Sequence, residues 1–140
     1  MIALDTGPLV ALFDPADGDH AACVAVLRLC DEPLVATIPV LTEAVHLLSP
    51  GSIGARRLAD FIADGGVRVW FFSTDALTRA WSLMEEYADH PMDLADASLV
   101  VLAEQERLKR IFTLDRRDFL SYRVRHGHRR VALRLMGPGN

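Results

Sequence analysis

Residues 90–104 constrain the chain more than any other stretch. From Ala95 onward the residues read as a helix that is apolar around most of its girth: Ala95, Leu99, Leu102 and Ala103 form one stripe, and Val100 and Val101 widen it. Such a helix is deeply packed. Pro91 discourages helix before it, and Asp93 is placed to accept from the free N–H groups of the first turn, as a cap. Asp96 stands in the buried wall itself. A carboxylate there is costly unless a cation meets it, so Asp96 needs a partner, and a metal ion would serve. Asp93, three residues earlier, reaches the same side.

The rest of the chain supplies the layers that cover this helix. Ile2-Ala3-Leu4 reads as a buried strand stopped at Asp5, followed by a tight turn, Thr6-Gly7-Pro8, and a helical run from Leu9 to Phe13. A second helix is predicted over residues 19–30, with His20 at its start as a surface residue. Residues 34–38 are a second strand closed by Pro39, and residues 40–48 a helix carrying Glu43 near its start. Further helices are predicted over 53–63 and 77–88, and strands over 67–72 and 110–113. The segment 122–130 is basic and irregular, and 131–136 alternates as an edge strand should. Short apolar strands alternating with helices imply an α/β fold in which a mostly parallel central sheet is flanked by helices on both faces.

At 140 residues the chain is expected to be one domain, residues 1–140. No apolar run approaches the roughly 20 residues of a membrane span, and the start lacks a secretion pattern, so a cytoplasmic protein is expected. Cys23 and Cys30 lie seven apart on one helical pattern, too far to bridge, and read as free thiols of a reducing compartment. The formal net charge of −4 conceals a split: residues 1–106 carry −12 and residues 107–140 carry +8. An acidic site beside a basic rim would produce this, the rim holding a polyanion; salt bridges between the halves, or a solvated surface, would produce it too.

Three acids fall at or just beyond separate strand ends: Asp5, Glu43 and Asp115, with Asp118 one turn on. Asp96 starts the helix leading into the strand before Asp115. If those strands are neighbours, the carboxylates converge at one edge of the sheet, where ligands of parallel sheets bind. Clustered like charges in a partly desolvated pocket call for a hard divalent cation. The chain has no Cys/His set at zinc spacing, no phosphate-binding glycine motif and no Gly-x-Ser-x-Gly elbow. Glu43-x-x-His46 occurs once, whereas a di-iron bundle requires two such motifs and two further glutamates. The chemistry that remains is metal-assisted hydrolysis, most naturally of a phosphodiester, in which ions polarise the phosphoryl oxygens, help ionise the attacking water and stabilise the leaving oxygen.

Ile2-Ala3-Leu4-Asp5-Thr6, Glu43 after the second strand, Met92-Asp93-Leu94-Ala95-Asp96-Ala97-Ser98-Leu99-Val100 and Phe112-Thr113-Leu114-Asp115-Arg116-Arg117-Asp118-Phe119 together resemble the PIN-domain family, and within it the VapC-type toxin ribonucleases. The resemblance spans nearly the whole chain and is most specific from Asp93 to Phe119. It implies an Mg2+- or Mn2+-dependent endoribonuclease whose carboxylate quartet is Asp5, Glu43, Asp96 and Asp115, with Asp5 and Asp96 as direct metal ligands. Thr6 and Thr113 match positions where a hydroxyl orients a carboxylate, water or phosphate. Asp118 is the alternative fourth acid, while Asp93 matches a variable position and stays a cap. Gly7 stands where many members carry Ser or Asn. The resemblance further implies structured RNA such as tRNA or rRNA as substrate, and a homodimer with an accompanying VapB-type antitoxin; the basic stretch itself offers Arg116, Arg117, Arg123, Arg125, Arg129 and Arg130 to hold the RNA. Leu9, Phe13, Val40, Ile53 and Trp81 are candidates for the dimer surface. The competing reading is a PIN-fold module that binds RNA or a protein without cutting.

Overall fold

Strands of the main sheet are only three or four residues long, and two of them pass into a helix without an intervening turn because a side chain at the joint caps it. The computed structural model describes residues 1–139. Strand β1 (Ile2–Leu4) is followed by α1 (Thr6–Phe13), whose first backbone N–H, at Thr6, donates to the Asp5 carboxylate at 2.7 Å. Thr6-Gly7-Pro8 is therefore the first turn of α1 and not a separate turn; Pro8 suits it because a first-turn residue has no N–H to place within the helix. Strand β2 (Leu34–Thr37) likewise passes into α3 (Ile38–Leu48), with the Thr37 hydroxyl accepting from the Val40 N–H.

Between them lies α2 (His20–Arg28), and after α3 come α4 (Ile53–Ala63), β3 (Arg68–Trp70), α5 (Thr74–Glu86), α6 (Leu94–Gln105) and β4 (Arg110–Phe112). A short helix, α7 (Arg116–Ser121), a ribbon of β5 (Val124–His126) and β6 (Arg129–Val131), and β7 (Arg134–Met136) complete the described chain. The main sheet runs β3-β2-β1-β4-β7 and every pairing in it is parallel. From β1 the chain moves outward through β2 to β3, then crosses back to β4 on the other side of β1. With right-handed crossovers this reversal puts α1 to α4 on one face and α5 and α6 on the other. It also opens a crevice beyond the carboxyl ends of β1 and β4, the usual ligand position in such sheets.

Helix α6 is as deeply packed as its composition requires: Ala95 and every residue from Ala97 to Ala103 are buried. It lies against α5, α3, β1 and β2, and β5 covers a further side. A buried hydroxyl pair, Thr37 Oγ1 and Ser98 Oγ at 2.6 Å, pins the start of α3 to the first turns of α6, and Ser98 also meets the Ala95 carbonyl at 2.6 Å.

Several sequence expectations change. Residues 122–130 are not irregular: they contain β5 and begin β6, an antiparallel ribbon turning at Gly127, whose φ of 62° suits glycine. Val131 belongs to that ribbon, so only Arg134–Met136 forms the edge strand, parallel to β4. Residues 116–121 form a helix where none was expected. His20 is no free surface residue, since its Nδ1 meets the Ala11 carbonyl at 2.6 Å and so ties α2 to α1. Leu9 and Val40 are fully buried and cannot contribute to a dimer surface, whereas Phe13 is half-buried and Ile53 and Trp81 are exposed. Cys23 and Cys30 are both free thiols, the first buried and the second half-buried.

Candidate active site

The crevice beyond β1 and β4 is a cleft of about 510 Å³ whose walls include six carboxylates: Asp5, Glu43, Asp93, Asp96, Asp115 and Asp118. Each arrives on a different part of the scaffold or at a helix start, which is why residues over a hundred positions apart meet. Asp5 is the cap of α1 and Asp115 the cap of α7, accepting from the Asp118 N–H at 3.2 Å. Glu43 comes from the second turn of α3. Asp93 caps α6 and takes the Asp96 N–H at 2.8 Å, while Asp96 Oδ2 accepts in return from the Asp93 N–H at 3.4 Å, a capping box made by two aspartates.

Asp5 is the most buried of the six, at 7 % exposure. Its Oδ1 accepts from the Thr6 N–H and its Oδ2 from the Thr113 hydroxyl, each at 2.7 Å, and Thr113 Oγ1 in turn accepts from the Asp115 N–H at 2.9 Å. Close passage of the chain after β7 shapes this corner, because a Cβ on Gly137 would fall 2.6 Å from the Thr113 carbonyl oxygen. Gly7 faces only the Leu114 side chain at ordinary contact distance, so a larger residue would fit there.

The electrostatics are those of crowded anions. Burial pushes the Asp5 carboxyl up to about 6 against the two hydrogen bonds that favour its charged form, and Asp115 and Glu43 add repulsion. Burial, then the charges of Asp93 and Asp5, push Asp96 up to about 8. Glu43 is raised by burial and Asp93, and Asp115 by burial and its contacts with Asp118. Burial and the surrounding acids push the Tyr122 phenol far above its ordinary value.

Two residues without a role in the sequence reading reach into this site. The Tyr122 hydroxyl donates to Asp96 Oδ2 at 3.3 Å, and His90 Nε2 lies 2.5 Å from Asp118 Oδ1. Both belong to an edge-to-face ring cluster in which Tyr122 packs against Tyr87, Phe119 and His90. No local pattern announces these contacts, which join positions 26 and 28 residues apart.

The basic residues are arranged differently from a rim. None of the six arginines lines the cleft. Arg116 and Arg117 are exposed on α7, next to Asp115 and Asp118. The ribbon carries the others away along α6: Arg125 N–H donates to Glu104 Oε1 at 3.2 Å and His126 Nε2 meets the Ala103 carbonyl at 3.3 Å, both near the far end of that helix. Arg123 donates to the carbonyls of Leu120 and Tyr122, and Arg130 pairs with Glu86 at 2.5 Å. A second, larger hollow of about 640 Å³, walled by Ile38, Phe72, Leu77 and Leu94, adjoins the acidic cleft and shares Glu43 and Asp93 with it.

Residues 2–124 match the family model described as PIN domain. The chain is 31% identical over 128 residues to Ribonuclease VapC26 of Mycobacterium tuberculosis (strain ATCC 25618 / H37Rv), covering 90% of this chain and 95% of the relative. Among solved structures it is similar to Mycobacterium tuberculosis VapC20, described as a sarcin-ricin loop cleaving toxin, with a TM-score of 0.77 and 20% identity over 84% of this chain and 92% of that one. A toxin-antitoxin complex from Klebsiella pneumoniae matches with a TM-score of 0.65 and 20% identity, over 86% and 92% of the two chains.

Proposed function

The chain belongs to the PIN-domain family, and from that premise we propose that it is a metal-dependent endoribonuclease, the toxin of a type II toxin-antitoxin pair. The observation that carries the reading is the six-carboxylate cleft at the reversal of strand order, with Asp5, Glu43, Asp96 and Asp115 each pushed up from its ordinary value by burial and neighbouring acids. Its relation to a named ribonuclease supports RNA as the substrate.

The residues present fit a hard cation. Every charged group on the cleft wall is an oxygen donor, and the Thr6 hydroxyl beside Asp5 is buried without a hydrogen-bond partner among the described residues. Among those residues no three acid, imidazole or thiol groups already converge on a point an ion could fill. The all-oxygen charged lining suits Mg2+ or Mn2+, hard ions of which the first keeps several of its waters. Asp5 and Asp96 would hold the ion directly, with Glu43 and one of Asp115 or Asp118 completing the quartet. When bound, it would polarise the phosphoryl group and assist ionisation of the attacking water.

The protein's own groups prepare the site. Thr113 and the Thr6 N–H hold Asp5 in one orientation, and Asp115 is held by its cap. Six acids cannot hold a polyanion by themselves, so the strand flanking the cut is gripped by cations outside the cleft, Arg116 and Arg117 first, then Arg123, Arg125, Arg129 and Arg130 along the ribbon. The likeness to a toxin described as cleaving the sarcin-ricin loop supports a structured RNA, tRNA or rRNA, over a short single strand. The same reading takes residues 1–140 as one nuclease domain acting in the cytoplasm as a homodimer, restrained by a VapB-type antitoxin, the latter supported by the likeness to a toxin-antitoxin complex.

Purified protein incubated with total RNA and Mg2+ or Mn2+, beside EDTA and Asp96→Asn controls, tests this directly. Discrete new ends that vanish in both controls are expected. RNA retained but never cut, with the folded protein binding Mn2+, would replace the nuclease with a binding module.

A further inference from the structure

Asp5 and Asp96 are the two carboxylates proposed to touch the ion, and the structure anchors each of them with a hydroxyl from the C-terminal third of the chain. For Asp5 this is Thr113, at 2.7 Å. For Asp96 it is Tyr122, at 3.3 Å to Oδ2, the oxygen that also accepts from the Asp93 N–H at 3.4 Å. Asp96 Oδ1 receives no protein donor among the described residues, in a side chain that lines the cleft.

The tyrosine cannot turn away from this contact. It is 2 % exposed, caps the end of α7 through its own N–H to the Asp118 carbonyl, and is wedged edge-to-face against Tyr87 and Phe119 at 5.2 Å each and His90 at 5.9 Å. A phenylalanine would fill the same ring slot without bringing a polar atom into a crowd of carboxylates. The hydroxyl's other acceptor is the Pro91 carbonyl, farther off at 3.5 Å. Packing therefore accounts for the ring, and Asp96 accounts for the oxygen.

We propose that Tyr122 is a positioning residue for the ion site: by holding Asp96 Oδ2 it fixes the carboxylate so that Oδ1 is the oxygen offered to the metal. This rests on the metal-dependent reading above. Groups that orient metal ligands from outside typically matter by about 10–100-fold in affinity. The ring cluster makes the arrangement stiff, and since His90 reaches Asp118 from the same cluster, the acids of α6 and α7 are set by one body of packed side chains.

The test is a calorimetric Mn2+ titration of RNA-free protein, comparing wild type with Tyr122→Phe and Tyr87→Phe. The two variants each delete one oxygen from the same cluster, but the Tyr87 hydroxyl accepts from the Arg123 N–H and makes no hydrogen bond to an acid among the described residues. Tyr122→Phe is expected to weaken Mn2+ binding about 10–100-fold with little change in thermal midpoint in EDTA, and its RNA cleavage is expected to recover at saturating Mn2+. Tyr87→Phe is expected to bind Mn2+ as wild type does. Wild-type affinity in Tyr122→Phe, or an equal loss in both variants, overturns the proposal while leaving the metal-dependent reading intact. A wild-type protein that binds no Mn2+ overturns both.

Discussion

Asp5 and Asp96 hold carboxyl groups at about 6 and about 8, and these values make the metal-free protein's stability depend on pH. A carboxyl that holds its proton more tightly folded than unfolded favours the fold at low pH and ceases to do so as pH rises through its folded value. Between about pH 4 and 8 the EDTA-treated protein should therefore lose stability, by about 3 kcal/mol from the nearly fully buried Asp5 alone. Mn2+ should restore the loss at the alkaline end, where protons no longer compete for the oxygens. Thermal melts at stepped pH, with and without Mn2+, read this out, and a flat or rising profile in EDTA would contradict it. Asp96→Asn removes a charge that the metal-free protein carries only above about pH 8 and keeps an acceptor for Tyr122, so it should raise the EDTA midpoint above that pH while abolishing cleavage. A lowered midpoint, or cleavage unchanged, would count against the assigned role. At this scale the sequence marked acids by where they stood: Asp5 and Asp115 follow apolar runs, and Asp96 interrupts a buried helical face. Tyr122 and His90 carried no comparable mark, because a tyrosine after a helix and a histidine before a proline acquire meaning only from contacts made across the fold.

Elements were legible wherever local pattern and tertiary demand agreed. The helix over 53–63 falls on Ile53–Ala63, and the apolar girth of α6 forecast its burial. At the joints the helices begin two or three residues before the sequence pattern places them, because a capping side chain lets strand become helix at once, as Asp5 and Thr37 do. The ribbon of β5 and β6 was hidden for another reason: only one of its strands turns a fully buried residue inward, Val124, while arginines occupy most other places. Such a two-stranded element lacks the alternation that betrays a strand. The Thr37–Ser98 pair shows what an element-scale contact does for the site, since it fixes α3, which carries Glu43, against α6, which carries Asp96. Thr37→Ala removes both the cap of α3 and this bond, and is expected to lower stability by about 1 kcal/mol or somewhat more in urea unfolding. Its Mn2+ affinity should fall as well. A variant that is destabilised yet binds Mn2+ as wild type does would mean that the pair supports the fold and not the spacing of the acids.

Over the whole molecule, the parallel α/β layering followed from strand–helix alternation, but the strand order did not, because three-residue apolar strands look alike until they choose neighbours. That order is what gathers the acids at one end. The charge split foreseen between the two parts of the chain is real in space, though not as a rim: the acids crowd the crevice while the ribbon carries arginines outward along α6. Part of that charge is neutralised by the acidic half, as Arg130 is by Glu86 and Arg110 by Glu32. The rest is hard to explain by stability. Arg125 stands directly opposite Arg130 across the ribbon, both exposed, so Glu86 offsets one member of a like-charged pair, an arrangement that on its own weakens a strand pair. An RNA backbone lying along the ribbon would relieve this while remaining clear of the repelling cleft. In the Asp96→Asn background, RNA affinity should fall steeply with salt, and Arg125→Ala and Arg129→Ala should each reduce that slope by about one, weakening binding without regard to base sequence. The same charge change made by Arg56→Ala and Arg57→Ala on α4 should leave the slope alone. Equal effects from both pairs would reduce the ribbon to a share of the net charge, and the grip on RNA would then fall to Arg116 and Arg117 beside the cleft.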